Sequence, residues 1–287
     1  MIVVTGATGI VGRPLVGLLA DAGADVRAVT RDAGGGGLPE GVDVVEGDPR
    51  RPATVAAALE GATALFLHPR AVADASAELV ALARERGVRR VVALSAMNVD
   101  DDLADQPSRH RGDRNKEAED AAVGSGLEWT SLRAGFFAFN ALTMWGGQLG
   151  AGDVVRGPYA GATEAPLHER DLAAVAARAL LADDLVGRKP VLTGPRSLTH
   201  AEMLADLAEA IDRPLTYQEV PPEAVKAQMA RNGFPEAFVC SYLALAARSV
   251  GRPALVTTEV EKILGRPART FAEWAADHAQ DFRASGG

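Results

Sequence analysis

Thr5-Gly6-Ala7-Thr8-Gly9-Ile10-Val11-Gly12 is the stretch whose reading decides the fold. Before it, Met1 to Thr5 is a short apolar, β-branched run. After it, Arg13 to Ala22 carries Leu15, Val16, Leu18 and Leu19 at helical spacing. The three glycines therefore fall on a strand-to-helix turn. A helix N-terminus offers unpaired N–H groups and partial positive charge to an anion, and a pyrophosphate suits it. Gly6 permits the tight turn, Gly9 lets the backbone approach the phosphates, and Gly12 lets helix and strand pack closely. The spacing is G-x-x-G-x-x-G rather than the commoner G-x-G-x-x-G. A glycine triplet alone is equally a tight turn; its position between strand and helix makes it a dinucleotide site. Thr8, Ile10 and Val11 join the glycines as expected cofactor contacts.

Outward from that turn, strand and helix patterns alternate. Strands are expected at 25–30, 42–46, 64–67, 91–94 and 127–132, with helices at about 53–60, 72–87 and 114–125. Such alternation builds a doubly wound α/β fold, a parallel sheet with helices on both faces and ligands at the C-terminal strand ends. Asp32 to Gly41, which includes Gly34 to Gly37, is too short and glycine-rich for a helix and reads as a loop crossover. From about residue 150 the pattern becomes helices at 171–182, 200–211, 222–231, 235–248, 258–263 and 270–283, with short strands near Val154 and Val191. The expected division is a dinucleotide-binding Rossmann domain over 1–150 and a small, mainly helical substrate lobe over 151–287, interleaved with it. Asp171 and Thr199 read as helix N-caps, and Arg133 as a structural ion-pair residue.

The chain has 287 residues, a formal charge of −8 and a single cysteine, with a pI near 5.2. That balance disfavours nucleic acid and anionic membranes, because no basic stripe is available to neutralise phosphates. Cys240 reads as a small buried apolar residue, and no internal disulfide is possible. The chain opens directly on its first strand and has no apolar run near eighteen residues, so a cytoplasmic protein is expected. No metal site is expected, and the oligomeric state stays open.

The end of the second strand selects the dinucleotide. A carboxylate there usually takes the ribose 2′-hydroxyl of NAD, whereas Arg31 offers a guanidinium suited to a 2′-phosphate. This favours NADP(H), unless Arg31 faces solvent and Asp32 takes the ribose. Asp48, after the third strand, either reaches an adenine amino group or caps the helix near Pro52. Leu67 and His68 end the fourth strand and border the cofactor face, His68 through its backbone rather than its imidazole.

Thr5 to Gly12, Thr30-Arg31-Asp32, Gly47-Asp48, Ser125 to Phe137 and Asn140 together resemble the NmrA-like family of atypical short-chain dehydrogenases/reductases. The likeness continues through Leu167 to Ala173, Leu192 to Pro195 and Leu264 to Pro267, nearly the whole chain. It implies a Rossmann fold with NADP(H). It also implies either a reductase of quinones and related molecules or an NADP(H)-binding redox sensor that acts through a protein partner.

Short-chain dehydrogenases donate the proton from the tyrosine of Tyr-x-x-x-Lys. Here Lys116 stands at the lysine, but Gly112 stands at the tyrosine, and Tyr159, Tyr217 and Tyr242 lack that spacing. Lys116 is therefore either a cofactor-holding or proton-donating residue or a helix-surface lysine paired with Glu119 or Asp120. His110 and Ser95 are candidate relay members with equally ordinary structural readings. Phe136, Phe137 and Trp145 could wall a flat substrate, with Asn140 as its polar handle. The expected activity is NADPH-dependent hydride transfer to a quinone-like or conjugated carbonyl small molecule, which tolerates the missing tyrosine. The absence of an extra tail after the 271–282 segment favours this over a sensor.

Overall fold

The computed structural model describes residues 1–32, 34 and 37–284. Seven parallel strands form the central sheet: β1 (Ile2–Val4), β2 (Val26–Thr30), β3 (Asp43–Glu46), β4 (Ala64–Leu67), β5 (Arg90–Ala96), β6 (Glu128–Ala134) and β9 (Val191–Leu192), in the order β3-β2-β1-β4-β5-β6-β9. Reversal of the strand order beside β1 puts the glycine turn at a topological switch point, where such sheets take their ligands. Two small ribbons lie outside this sheet: β7 (Val154–Gly157) with β11 (Thr216–Glu219), and β8 (Thr163–Glu164) with β10 (Leu198–Thr199).

Helices α1 (Gly12–Asp21), α2 (Pro69–Val72), α3 (Ser76–Glu85), α4 (Asn115–Val123), α5 (Asn140–Leu149) and α6 (Glu169–Leu181) belong to the first two thirds of the chain. They are followed by α7 (His200–Ile211), α8 (Pro222–Arg231), α9 (Glu236–Ser249), α10 (Glu259–Leu264), α11 (Phe271–Asp277) and α12 (Ala279–Ala284). One sheet face buries Leu15, Val16 and Leu19 of α1 against Leu172, Val175 and Ala176 of α6. The other buries Leu79, Val80 and Ala83 of α3 with Ala118 and Ala122 of α4. The apolar stripes read from the sequence are these two faces. No helix among the described residues is long and apolar enough to cross a membrane.

Several expectations change. The 53–60 segment is a 3₁₀ helix, Pro52–Leu59. The 72–87 helix begins only at Ser76, because Ala73 takes a φ of 51°. The 270–283 helix is broken at His278 into α11 and α12. Helix α5 and strands β8, β10 and β11 were not expected; α5 contains Gly146-Gly147, and the strands are two to four residues long. No helix joins β2 to β3 among the described residues; Ala33, Gly35 and Gly36 of that crossover lie outside them.

Packing divides the chain before residue 150. Ala138, Ala141, Trp145 and Leu149 share a third core with Leu204, Phe271 and Trp274, so α5 belongs to the C-terminal lobe. Conversely, β9 and α6 complete the Rossmann layers. Thr199 caps α7 in a reciprocal capping box with Glu202. Asp171 is not a cap: His168 occupies that place, its Nδ1 accepting from the Arg170 N–H. Asp171 is instead a buried carboxylate bound by Arg266 at 2.7 Å and by Arg269. Cys240 is exposed, against expectation.

Candidate active site

The glycine turn is held from below by one hydroxyl. Thr5 Oγ1 donates to the Phe66 carbonyl at 2.9 Å and accepts from the His68 N–H at 2.9 Å, tying the end of β1 to the end of β4. Gly6 takes a φ of +67°, which a side chain would strain. A Cβ on Gly12 would lie 2.7 Å from the Gly6 carbonyl carbon and 2.8 Å from Ala7 Cα, so only glycine lets α1 meet the turn this closely. Among the described residues, the backbone N–H groups of Thr8, Ile10 and Val11 donate to no protein acceptor. Val11 is buried beneath the turn, whereas Ile10 is exposed on it.

His68 meets the site differently from expectation. Its N–H is taken by Thr5, and its carbonyl accepts from Ala71 and Val72 at 3.1 Å, so neither backbone group is free. The imidazole instead packs on Gly6, and its Nδ1 is buried without a partner. Burial pushes this ring down to about 4, so it is neutral at pH 7. Ser95, on β5, is likewise buried with an unpartnered Oγ. Leu67 is wholly buried and belongs to the core below.

At the tip of β2 the two acid–base neighbours separate. Asp32 uses its carboxylate locally, accepting from the Gly34 N–H at 2.9 Å. Arg31 is exposed and has no ion-pair or hydrogen-bond partner among the described residues. The exposed Arg13 guanidinium lies beside the same loop, where a Cβ on Gly37 would meet it. Asp48 does not cap the 3₁₀ helix. Its carboxylate accepts two bonds from the Arg50 guanidinium at 2.9 Å, which holds it below the usual carboxylate range, and another from the Arg50 N–H.

Among the proposed catalytic residues, Lys116 lies on α4, 38% exposed, with Nζ 2.7 Å from Asp120. That hydrogen bond raises the ammonium's pKa, which suits a binding charge better than an acid. Gly112 lies before α4 at a φ of +98°, a conformation that the helical tyrosine of Tyr-x-x-x-Lys could not adopt without strain. His110 lies in a 3₁₀ turn, Pro107–Arg111, and its ring bonds the Ala104 carbonyl at 2.9 Å. Beyond β6, Phe136 and Ala138 are stitched to Leu167 through bonds of 2.7 and 2.9 Å. Phe136 and Phe137 are half-buried, and Asn140 opens α5. Trp145, 2% exposed in the C-terminal core, presents no surface to a substrate.

Arg133 is the ion-pair residue expected, between Asp100 at 2.8 Å and Glu119, a carboxylate that the sequence offered only as a partner for Lys116. Glu119 is fully buried; it accepts from Arg133 Nη2 at 2.6 Å, Lys189 at 2.7 Å and the Ser131 hydroxyl at 2.6 Å. Burial alone would raise its pKa, but these three donors outweigh it and hold the group down to about 2. Its sequence signal was its place near Lys116 among the three acids of α4, which does not show that it is buried. A second cluster ties α6 to the α11–α12 break, where His278 bridges Glu169 at 2.7 Å and Asp281 at 2.8 Å.

The arrangement fits a dinucleotide: a glycine cradle that a Cβ would fill, three N–H groups that donate to no acceptor among the described residues, and the unpartnered His68 Nδ1 on the ring packed against Gly6. Residues 6–183 match the family described as NAD(P)H-binding. The chain is 38% identical to a (4-alkanoyl-5-oxo-2,5-dihydrofuran-3-yl)methyl phosphate reductase of Streptomyces griseus subsp. griseus, over 98% of this chain and 99% of that one. It is 33% identical to an NAD(P)H azoreductase of Xenophilus azovorans, over 99% and 100%. Its fold matches an NADPH-dependent quinone oxidoreductase of Escherichia coli solved with NADPH, at a TM-score of 0.79 and 23% identity over 96% and 99% of the two chains. Family match, near full-length likeness and fold agree: the chain belongs to the NAD(P)H-binding family, among the NmrA-like atypical short-chain dehydrogenases/reductases.

Proposed function

We propose that the protein is an NADPH-dependent reductase that transfers a hydride to a quinone-like or conjugated carbonyl small molecule. The observation that carries this reading is the glycine cradle together with Arg31 at the end of the neighbouring strand, which has no partner among the described residues. The N–H groups of Thr8, Ile10 and Val11 would hold the pyrophosphate, and Arg31 the 2′-phosphate, while Asp32 is occupied in its own turn. The neutral His68 ring and the Ser95 hydroxyl, buried without partners among the described residues, would face the nicotinamide half. Asp48 would border the adenine, and Lys116 would contribute positive charge near the ribose.

Reduced nicotinamide, when bound, supplies two electrons and a proton as hydride. What the chain must add is orientation, exclusion of water and a proton. Gly112 supplies no phenol, so the acceptor must delocalise the incoming electron pair, as quinones and unsaturated carbonyls do. The names of the relatives support that class: one reduces an unsaturated lactone phosphate, another azo compounds. Phe136 and Phe137 are the half-buried aromatics nearest the end of β6 and would flank a flat acceptor, with Asn140 at its polar edge. The test is NADPH consumption across quinones, unsaturated lactones, azo dyes and simple aldehydes. Turnover of the conjugated acceptors with little on aldehydes is expected; tight NADPH binding without turnover of any would refute a reductase.

A further inference from the structure

Glu164 on β8 is an acid without a partner. It is half-buried, yet no hydrogen bond or ion pair reaches its carboxyl among the described residues. Elsewhere in this protein the buried carboxylates Glu119 and Asp171 each hold two cations. An uncompensated carboxyl in such surroundings keeps its proton, and burial raises Glu164 to about 7.

Its position is the second observation. The chain immediately after Glu164 is stitched to the C-terminal edge of the sheet: Ala165 accepts from the Gly194 N–H at 3.1 Å, and Leu167 donates to Phe136 at 2.7 Å. This is the edge where doubly wound sheets receive ligands, at the end away from Arg31. Helix α9 lies against β8 there. Thr163 Oγ1 donates to the Ser249 carbonyl at 3.3 Å, and Tyr242, two turns earlier on the same helix face, feels the Glu164 charge. Phe234, just before α9, stacks with Phe238 and Tyr242 of that helix at ring centroids 5.5 and 6.1 Å apart, and Arg111 of the turn after β5 covers the first two rings at 5.3 and 5.4 Å. The result is an aromatic row between the β5 loop and α9, on the helix that packs against the strand carrying Glu164.

We infer that Glu164 is the proton donor of the reductase, taking over from the C-terminal lobe the task that Gly112 cannot perform. The inference rests on the reductase reading above. For an unsaturated lactone, a C–H bond forms at the β-carbon with the hydride from NADPH, and the C=C π pair moves into an enolate. The enolate takes the Glu164 proton, so that product and NADP⁺ result, and the glutamate regains a proton from solvent. The groups that face Glu164 do not compete for this proton. From α9 they are Tyr242, whose pKa burial pushes up, and Arg248, which is turned to Asp105 at 3.9 Å. β10 brings only Leu198 and Thr199, followed by His200, which burial keeps neutral at about 4. Tyr217 on β11 is pushed up by burial and donates to the Pro158 carbonyl.

Two measurements on the full chain test it. Difference infrared titration of the protein alone should show a carboxylic acid band lost with a midpoint near pH 7, and Glu164→Gln should remove it. With NADPH and an unsaturated lactone, kcat/KM of the wild type should fall above that pH. Glu164→Gln should be about a hundredfold slower and lack the pH limb, at unchanged NADPH affinity. Glu164→Asp should recover part of the rate with a shifted limb. Turnover by Glu164→Gln at the wild-type rate, or a carboxyl already ionised at pH 5, overturns the donor alone. A wild type that binds NADPH but reduces no conjugated acceptor overturns the reductase reading and the donor with it.

Discussion

Removing the Arg31 guanidinium should convert an NADPH-selective site into an unselective one. Arg31 is exposed and has no partner among the described residues, and Asp32, the carboxylate beside it, is engaged with the Gly34 N–H. Among the described residues Arg31→Ala breaks no internal bond, so its cost should fall on the ligand. A hydrogen bond to a charged group contributes about 1.5–3 kcal/mol. At ~1.4 kcal/mol per tenfold, that predicts about a ten- to hundredfold weaker NADPH affinity. NADH has no 2′-phosphate, so its affinity should change by less than about twofold. Titration calorimetry or quenching of tryptophan fluorescence with both cofactors, for wild type and variant, measures this directly. Arg13 lies beside the same loop, so Arg13→Ala is the natural companion and should show a weaker loss with the same preference for NADPH. Raising salt should erode the NADPH advantage of the wild type, because the contact is exposed. Equal affinity of the wild type for NADH and NADPH, or equal loss of both in Arg31→Ala, would refute the assignment.

Gly12→Ala places a Cβ within 2.8 Å of Ala7 Cα, so α1 must move off the turn; a loss of about 1–3 kcal/mol in urea unfolding and of NADPH binding is expected. Glu119→Gln removes the fully buried charge that gathers Arg133, which Asp100 also holds, and the exposed Lys189; a loss of about 1.5–3 kcal/mol in chemical denaturation is expected. Because the folded Glu119 pKa is about 2, below its unfolded value, its stabilisation is present at neutral pH. It is lost as pH falls from about 5 towards 2, and the variant should lack that part of the acid transition. Lys116→Met removes a binding charge rather than an acid; cofactor affinity should fall severalfold, read by titration, while the pH profile of turnover keeps its shape. Tyr159→Phe and Tyr217→Phe should leave most activity in place in the same NADPH assay.

Local signals fixed the nucleotide half. Glycine positions, β-branched runs and apolar residues at helical spacing act within a few residues of one another, so β1, α1 and the parallel order were legible before any contact was known. Arg31 was readable for the same reason: its place at a strand end follows from one strand. Arg133 could be read as an ion-pair residue, but its partner Glu119 lies 14 residues away and Lys189, which shares that carboxylate, 70 residues from it, and only tertiary packing gathers them. The imidazole of His68 replaced its backbone at the site because the Thr5 hydroxyl, 63 residues earlier, takes the N–H first. Trp145 went to the core and Cys240 to the surface because helix periodicity shows which residues share a face, and not which face is covered. Glu164 shows the same division most plainly. Its sequence neighbourhood, Gly161 to Ala165, carries no motif, and a two-residue strand is too short for alternation to register. What distinguishes it is that no cation pairs with it among the described residues and that α9 packs on its strand. The second depends on where segments 86 residues apart come to rest, and burial without a partner exists only in the folded chain.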